Sequence, residues 1–211
     1  MSEEKAEVKM EYRLLGGTGL KVSALSFGFW ATDDIIKIIK MLKKITKKKK
    51  KKGVDKCVEV MRVCRKGGIN FFDNAEVKDA EIIMGQAYER LLKEDSTLWR
   101  RSDVCFTTKI FWGGKGQNEK GLSRKHIMEG MKQSLKRLNM DYVDVVFCHR
   151  FDPLTSTKEV VRAFTDIIRS GKALYWGTSE WTAAQITEAF WVAKLEGLIP
   201  PIAEQFNKIN K

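Results

Sequence analysis

The sequence predicts an α/β fold: an incomplete (β/α)8 barrel with about six of its eight strands, preceded by an N-terminal β-hairpin. Three observations predict it. From Val54 onward, short apolar runs alternate with segments of helical period, the pattern that winds a parallel sheet through right-handed crossovers. Three of those runs end on a polar residue: Phe71-Phe72 on Asp73, Val104 to Thr108 on Lys109, and Val143 to Cys148 on His149. Parallel strands bring such ends to one face, where barrels of this type keep their chemistry. Finally, 211 residues supply six strand–helix positions, the sixth without its helix, whereas a closed barrel takes eight strands and about 250 residues.

Composition sets the bounds. The chain is 43% hydrophobic and 31% charged, ordinary for one soluble globular domain. It has no apolar run of membrane-spanning length, and residues 1–11 form a polar tail rather than a basic-then-apolar leader. These features predict a cytoplasmic protein without membrane insertion. The net charge of +12 is local: ten lysines and two aspartates between Asp33 and Lys52 hold +8 of it. A nucleic-acid partner is therefore not expected. Cys57, Cys64, Cys105 and Cys148 lack Cys-x-x-Cys spacing, and the only histidines are His126 and His149. Buried free thiols and no metal site follow.

Taken in order, Tyr12 to Leu15, Gly16-Gly17-Thr18-Gly19 and Leu20 to Val22 read as a hairpin able to plug one barrel end. Ala24 to Gly28 reads as the first buried strand, with Phe29-Trp30 at its exit. Residues 32–52 are a low-complexity insert ending in six lysines, Lys47 to Lys52; such a block repels itself and is usually disordered. A basic amphipathic helix on a membrane surface is the alternative. Helices are expected over Val54 to Lys66 (stopped by Gly67-Gly68), Ala80 to Leu92, Ser123 to Leu138 with Ser123 as N-cap, Thr157 to Ser170, and Thr182 to Leu195. Strands fall at Phe71 to Asp73, Val104 to Lys109, Val143 to His149, Ala173 to Thr178 and from Ile202 to Gln205. One barrel unit over 12–206, interrupted at 32–52 and followed by a tail at 207–211, is the expected organisation. Asp73 can serve chemistry or, with Asn74, cap the next helix.

Several stretches resemble the aldo-keto reductase family, and within it the branch similar to voltage-gated potassium-channel β subunits: Thr107-Thr108-Lys109-Ile110-Phe111-Trp112-Gly113-Gly114, Gly121 to His126, and Tyr175-Trp176-Gly177-Thr178-Ser179-Glu180-Trp181. The resemblance implies a TIM barrel that binds NADPH at its C-terminal face and reduces a small carbonyl substrate. In that family a tyrosine protonates the oxygen, a lysine lowers the tyrosine's pKa, an aspartate pairs with the lysine, and a histidine orients the carbonyl. By position Asp73, Lys109 and His149 match three of these catalytic roles. For the cofactor, the resemblance assigns Ser179 and Gln205 to the nicotinamide carboxamide, Glu180 to the adjacent contact, and Trp30 to the pocket lining, with Asp73 and His149 nearby. Ser179 and Glu180 also suit a helix cap. The channel-β branch adds a potassium-channel α subunit and a homotetramer as partners.

The tyrosine is missing. The family's Ala-Glu-Val runs into Tyr-x-x-Gly before the next helix, whereas Val77 passes through Lys78-Asp79 straight into Ala80-Glu81. Lys78 is the alternative proton donor, disfavoured by like-charge repulsion with Lys109. The resemblance also places the stacking aromatic, the pyrophosphate clasp and the 2′-phosphate readers in the last two strands, so NADPH binding is expected to be weakened or lost. The insert and Phe206 to Lys211 share residues with A/T-rich codons, which suggests translated non-coding sequence in a truncated or mispredicted gene product without independent function. Sequencing the transcript checks this: a spliced message that still encodes Lys47 to Lys52 overturns it.

Overall fold

The computed structural model describes residues 9–29, 51–76 and 78–206. Trp30, nearly all of the lysine-rich insert and the 207–211 tail lie outside them. The described elements are β1 Tyr12–Leu14, β2 Lys21–Ser23, β3 Phe27–Gly28, α1 Lys51–Lys66, β4 Phe71–Asp73, α2 Lys78–Glu94, β5 Cys105–Ile110, α3 Arg124–Leu138, β6 Val143–Cys148, α4 Thr157–Arg169, β7 Ala173–Ser179, α5 Ala183–Leu195 and β8 Glu204–Gln205.

Strands β3 to β8 form one parallel sheet of six in chain order, and β1 and β2 pair antiparallel beside it. The sheet is curled. Gln205 Nε2 on β8 donates to Asp73 Oδ2 on β4 at 3.1 Å, although strands four places apart in a flat sheet are separated by roughly 19 Å. This is the incomplete barrel expected from the alternation of strands and helices.

Register decides what faces inward. Asp73 pairs with Thr107, Thr107 with Val145, Lys109 with Phe147, Phe147 with Gly177, and Ser179 with Gln205. Because strand side chains alternate, these residues share the concave face. The intervening Phe72, Phe106, Ile110, Val146, Cys148 and Trp176 belong to the buried core beneath the helices. Phe72 packs on Trp99 and Phe106, Tyr88 of α2 lies edge-on to Phe106, and Phe164 of α4 stacks on Trp176 at 5.1 Å. Each such fully buried side chain contributes about 1.5–3 kcal/mol by area.

The hairpin lies at the N-terminal ends of the strands, away from the chemistry. Ser23 N donates to Asn70 Oδ1 at 2.7 Å, and Tyr12 OH donates to the Gly68 carbonyl at 2.7 Å, just ahead of β4. A Cβ on Gly16, whose φ is +57°, would meet Ile202 O just before β8 at 2.1 Å, so the turn spans the barrel bottom and requires glycine there.

Two boundaries differ from expectation by three residues. The first barrel strand is only Phe27–Gly28; Leu25 is 63% exposed, because Ser23 Oγ turns back to donate to Leu25 O at 2.6 Å and holds the chain in a bend. Helix α1 starts at Lys51, inside the insert. Ser123 caps α3 as expected. The four cysteines are free, with Cys57, Cys105 and Cys148 buried; burial raises the Cys57 thiol to about 12. Among the described residues, no helix is long and apolar enough to cross a membrane.

Candidate active site

Asp73 closes β4 and is buried. Its Oδ2 accepts from Lys109 Nζ at 2.5 Å and from Gln205 Nε2 at 3.1 Å, while Oδ1 accepts from Thr107 Oγ1 at 2.6 Å. Lys109 Nζ also donates to the Asn74 carbonyl at 2.8 Å. Among the described residues Asp73 is committed to Lys109, and Asn74 Oδ1 accepts from Ala75 N at 2.8 Å. A carboxylate with three donors and an ammonium with two acceptors satisfy the requirement that buried charges be paired.

Burial lowers the pKa of Lys109; Asp73 counteracts this by charge and hydrogen bond, and Arg150 adds to the lowering. His149 follows β6 directly, with its backbone N–H held by Ile110 O at 3.1 Å. Its ring is buried, and the Trp112 indole meets it edge-on at 6.4 Å. Burial, then the positive charges of Lys109 and Arg150, push His149 down to about 4, against a smaller pull from Asp73. The imidazole is thus neutral near pH 7, able to offer an N–H without carrying charge.

Ser179 ends β7, and its Oγ donates to the Gln205 carbonyl at 3.2 Å. Gln205 Oε1 is buried and accepts no hydrogen bond among the described residues. Glu180 sits in the left-handed region at φ 58° and is exposed, its N–H donating to Gln205 O at 3.2 Å. Neither Ser179 nor Glu180 caps α5: Thr182 does, in a capping box with Gln185.

The structure thus brings Asp73, Lys109, His149, Ser179 and Gln205 to the mouth of the curled sheet, leaves Glu180 at the rim, and does not describe Trp30. Sequence reasoning missed Thr107, two residues before Lys109 on the same strand face, which period-two alternation could have found. It also gave no role to Glu76, which no periodicity marks. Glu76 is buried, and its Oε2 accepts from Phe111 N at 3.3 Å, Gly113 N at 3.1 Å and His126 Nε2 at 3.2 Å. Beyond Trp112 a cavity of about 520 Å³ opens between the 113–120 loop and α3, with Glu76 and His126 in its wall. Neither Asp73, Lys109 nor His149 lines it.

Among the described residues no tyrosine hydroxyl joins the site. Tyr12 and Tyr88 are bound to backbone carbonyls elsewhere, Tyr142 lies under the Arg101 guanidinium, and Tyr175 stands four residues short of Ser179 on β7.

A curled parallel sheet with an Asp–Lys pair and a histidine at its C-terminal mouth agrees with the sequence comparison: residues 37–208 match the Aldo/keto reductase family, and the chain belongs to it. At closer range it is 52% identical over 199 residues to a probable voltage-gated potassium channel subunit beta of Arabidopsis thaliana, covering 93% of this chain and 54% of the relative. A protein of the same description from Oryza sativa subsp. japonica is 51% identical over 199 residues, with the same coverage. The chain therefore spans about half the length of these curated relatives.

Proposed function

We infer that the mouth is a nicotinamide-dependent carbonyl-reduction site whose turnover is impaired by the shortened loop after Val77. The observation that carries this reading is Lys109 Nζ, buried and held between Asp73 Oδ2 and Asn74 O, with a neutral histidine on the next strand. NADPH is the cofactor proposed, and the residues present fit its amide end: Gln205 Oε1 is a buried acceptor with no donor among the described residues, beside the Ser179 hydroxyl. When bound, NADPH supplies the hydride. Ser179 and Gln205 would hold the carboxamide, with Glu180 and Trp30 assigned to its surroundings by resemblance alone. Asp73 fixes Lys109, whose charge stabilises negative charge developing on the substrate oxygen. His149 orients that oxygen through its ring N–H. No positioned phenol completes the set, so protonation is the step left slow.

Fluorescence titration with NADPH tests the reading. Saturable binding that weakens by about tenfold in Gln205→Ala is expected, followed by slow aldehyde-dependent oxidation of NADPH. Absence of saturable binding refutes it.

A second reading is favoured by the 52% identity to a potassium channel subunit beta: a cytoplasmic binding protein that assembles, as a homotetramer, with a channel α subunit and turns over little. Co-purification with a channel's cytoplasmic domain, with mass by light scattering, tests it. NADPH binding without aldehyde-dependent oxidation separates this reading from the first.

A further inference from the structure

We propose that Glu76 is a positioning residue for the reduction site, acting through Trp112. The proposal rests on the mouth being that site. One oxygen of a buried carboxylate, Glu76 Oε2, accepts from the backbone N–H groups of Phe111 and Gly113 at 3.3 and 3.1 Å. These two amides flank Trp112. The same oxygen meets His126 Nε2 at 3.2 Å, which ties the arrangement to the first turn of α3. Glu76 is itself fixed, its N–H donating to Lys109 O at 2.9 Å. Gly130 makes room for the carboxylate: a Cβ there would lie 2.9 Å from Glu76 Oε1.

The clamp therefore holds a three-residue segment on both sides of its middle residue. That residue is Trp112, 45% exposed, whose indole meets the His149 ring in a T-shaped contact at 6.4 Å. A large aromatic side chain left this open is not positioned by packing alone, since core residues normally gain their fixed rotamers from full burial. Hydrogen bonds to a charged acceptor are the stronger kind and are directional. Their effect is to set the distance between an aromatic wall and the group that orients the substrate oxygen. Glu76 touches no reacting atom, and its effect falls on substrate fit rather than on proton transfer.

The test begins with the unliganded 211-residue chain. The His149 Cε1–H resonance senses the ring current of Trp112, and Trp112→Leu gives its value without the indole. In Glu76→Ala the resonance is expected to move most of the way to the Trp112→Leu value, and amide exchange at Phe111 and Gly113 to accelerate at least about tenfold. Glu76→Gln, which keeps an acceptor oxygen, should restore at least half of both changes. If Glu76→Ala does not fold, Glu76→Asp, whose carboxylate is retracted by one methylene, provides the same readout. A His149 resonance unmoved in the folded variants overturns the proposal. In turnover, KM for benzaldehyde should rise by about tenfold relative to propanal while kcat stays within about twofold; equal rises for both aldehydes also overturn it. If the parent chain reduces neither aldehyde, the reading of the mouth fails, while the resonance still decides whether Glu76 positions Trp112.

Discussion

Protonation of His149 is the perturbation that the structure makes most quantitative. Its pKa is about 4 in the folded chain, against about 6.5 for an exposed histidine in the unfolded chain. Between these values the unfolded state binds more protons, so stability rises with pH. The contribution is fully present above about pH 6.5 and is lost as pH falls through that range toward 4. A displacement of this size corresponds to at most roughly 3 kcal/mol. Other groups act over the same range: burial raises the Glu81 and Asp144 carboxyls, which favours the folded state as pH falls. The comparison is therefore between the parent chain and His149→Gln, by urea denaturation at pH 7 and pH 4.5. The parent should lose about 2–3 kcal/mol more than the variant across that interval. NMR provides the direct reading, since the chain has only two histidines and one substitution assigns both resonances. A midpoint for His149 near 6.5, or identical pH dependence in the two proteins, refutes the argument that burial beside Lys109 and Arg150 keeps the ring neutral.

Lys109→Met leaves the Asp73 carboxylate buried with Thr107 and Gln205 as its donors among the described residues, and should cost about 3–5 kcal/mol in urea denaturation. Adding Asp73→Asn should recover part of that loss, so the double variant unfolds at higher urea than the single one. Gly85→Ala on α2 places a Cβ 2.2 Å from Leu138 O at the end of α3; it should destabilise by about 1–3 kcal/mol, opposite in sign to the roughly 1 kcal/mol gain that alanine gives in a free helix.

The parts of the fold that depend on local pattern were legible in the sequence. Phe71-Phe72-Asp73 and Val143 to His149 showed apolar strands ending in polar residues, and Ser123 and the glycines after α1 and α4 fixed helix ends through capping and positive φ. What failed was Ala24 to Leu25, where an apolar run was read as buried strand. A single hydroxyl, Ser23 Oγ on Leu25 O, outweighs β-propensity there. The site was half legible for a related reason. Asp73, Lys109 and His149 each lie within one residue of a strand's C-terminal end, so one-dimensional pattern marks them. Gln205 was marked by the family resemblance and Glu76 by nothing; their contacts with Asp73, 132 positions from Gln205, and with Phe111 and Gly113 have no local period to encode them. Ser179 and Glu180 looked like caps because the true cap, Thr182, lies only three residues beyond Ser179.

The shortened loop can be tested by insertion, because its two ends are anchored independently. Past Asp73 the chain stays aligned with β5: Asn74 N donates to Thr107 O at 3.0 Å and Glu76 N to Lys109 O at 2.9 Å. On the far side of Val77, Glu81 is fully buried in α2, accepting from Thr108 Oγ1 at 2.6 Å and pairing with Arg137 at 2.5 Å. Both anchors grip β5 within residues 107–109, so neither depends on the length of the segment between them. Lengthening a short connection is cheap, since even doubling it costs only about 0.6 kcal/mol in closure entropy. Replacing Lys78-Asp79 with the family's Tyr-x-x-Gly run should therefore leave the urea midpoint nearly unchanged. It also supplies a phenol whose pKa the Lys109 ammonium can lower. Aldehyde-dependent oxidation of NADPH should rise by about 10²-fold or more, the lower end of what a positioned general acid contributes. A Phe-x-x-Gly version carries the same backbone without the proton and should show no rise. Equal rates for the two versions, at unchanged NADPH affinity, refute the argument that chemistry stops at Val77 for want of a proton donor and direct attention to the cofactor side of the mouth.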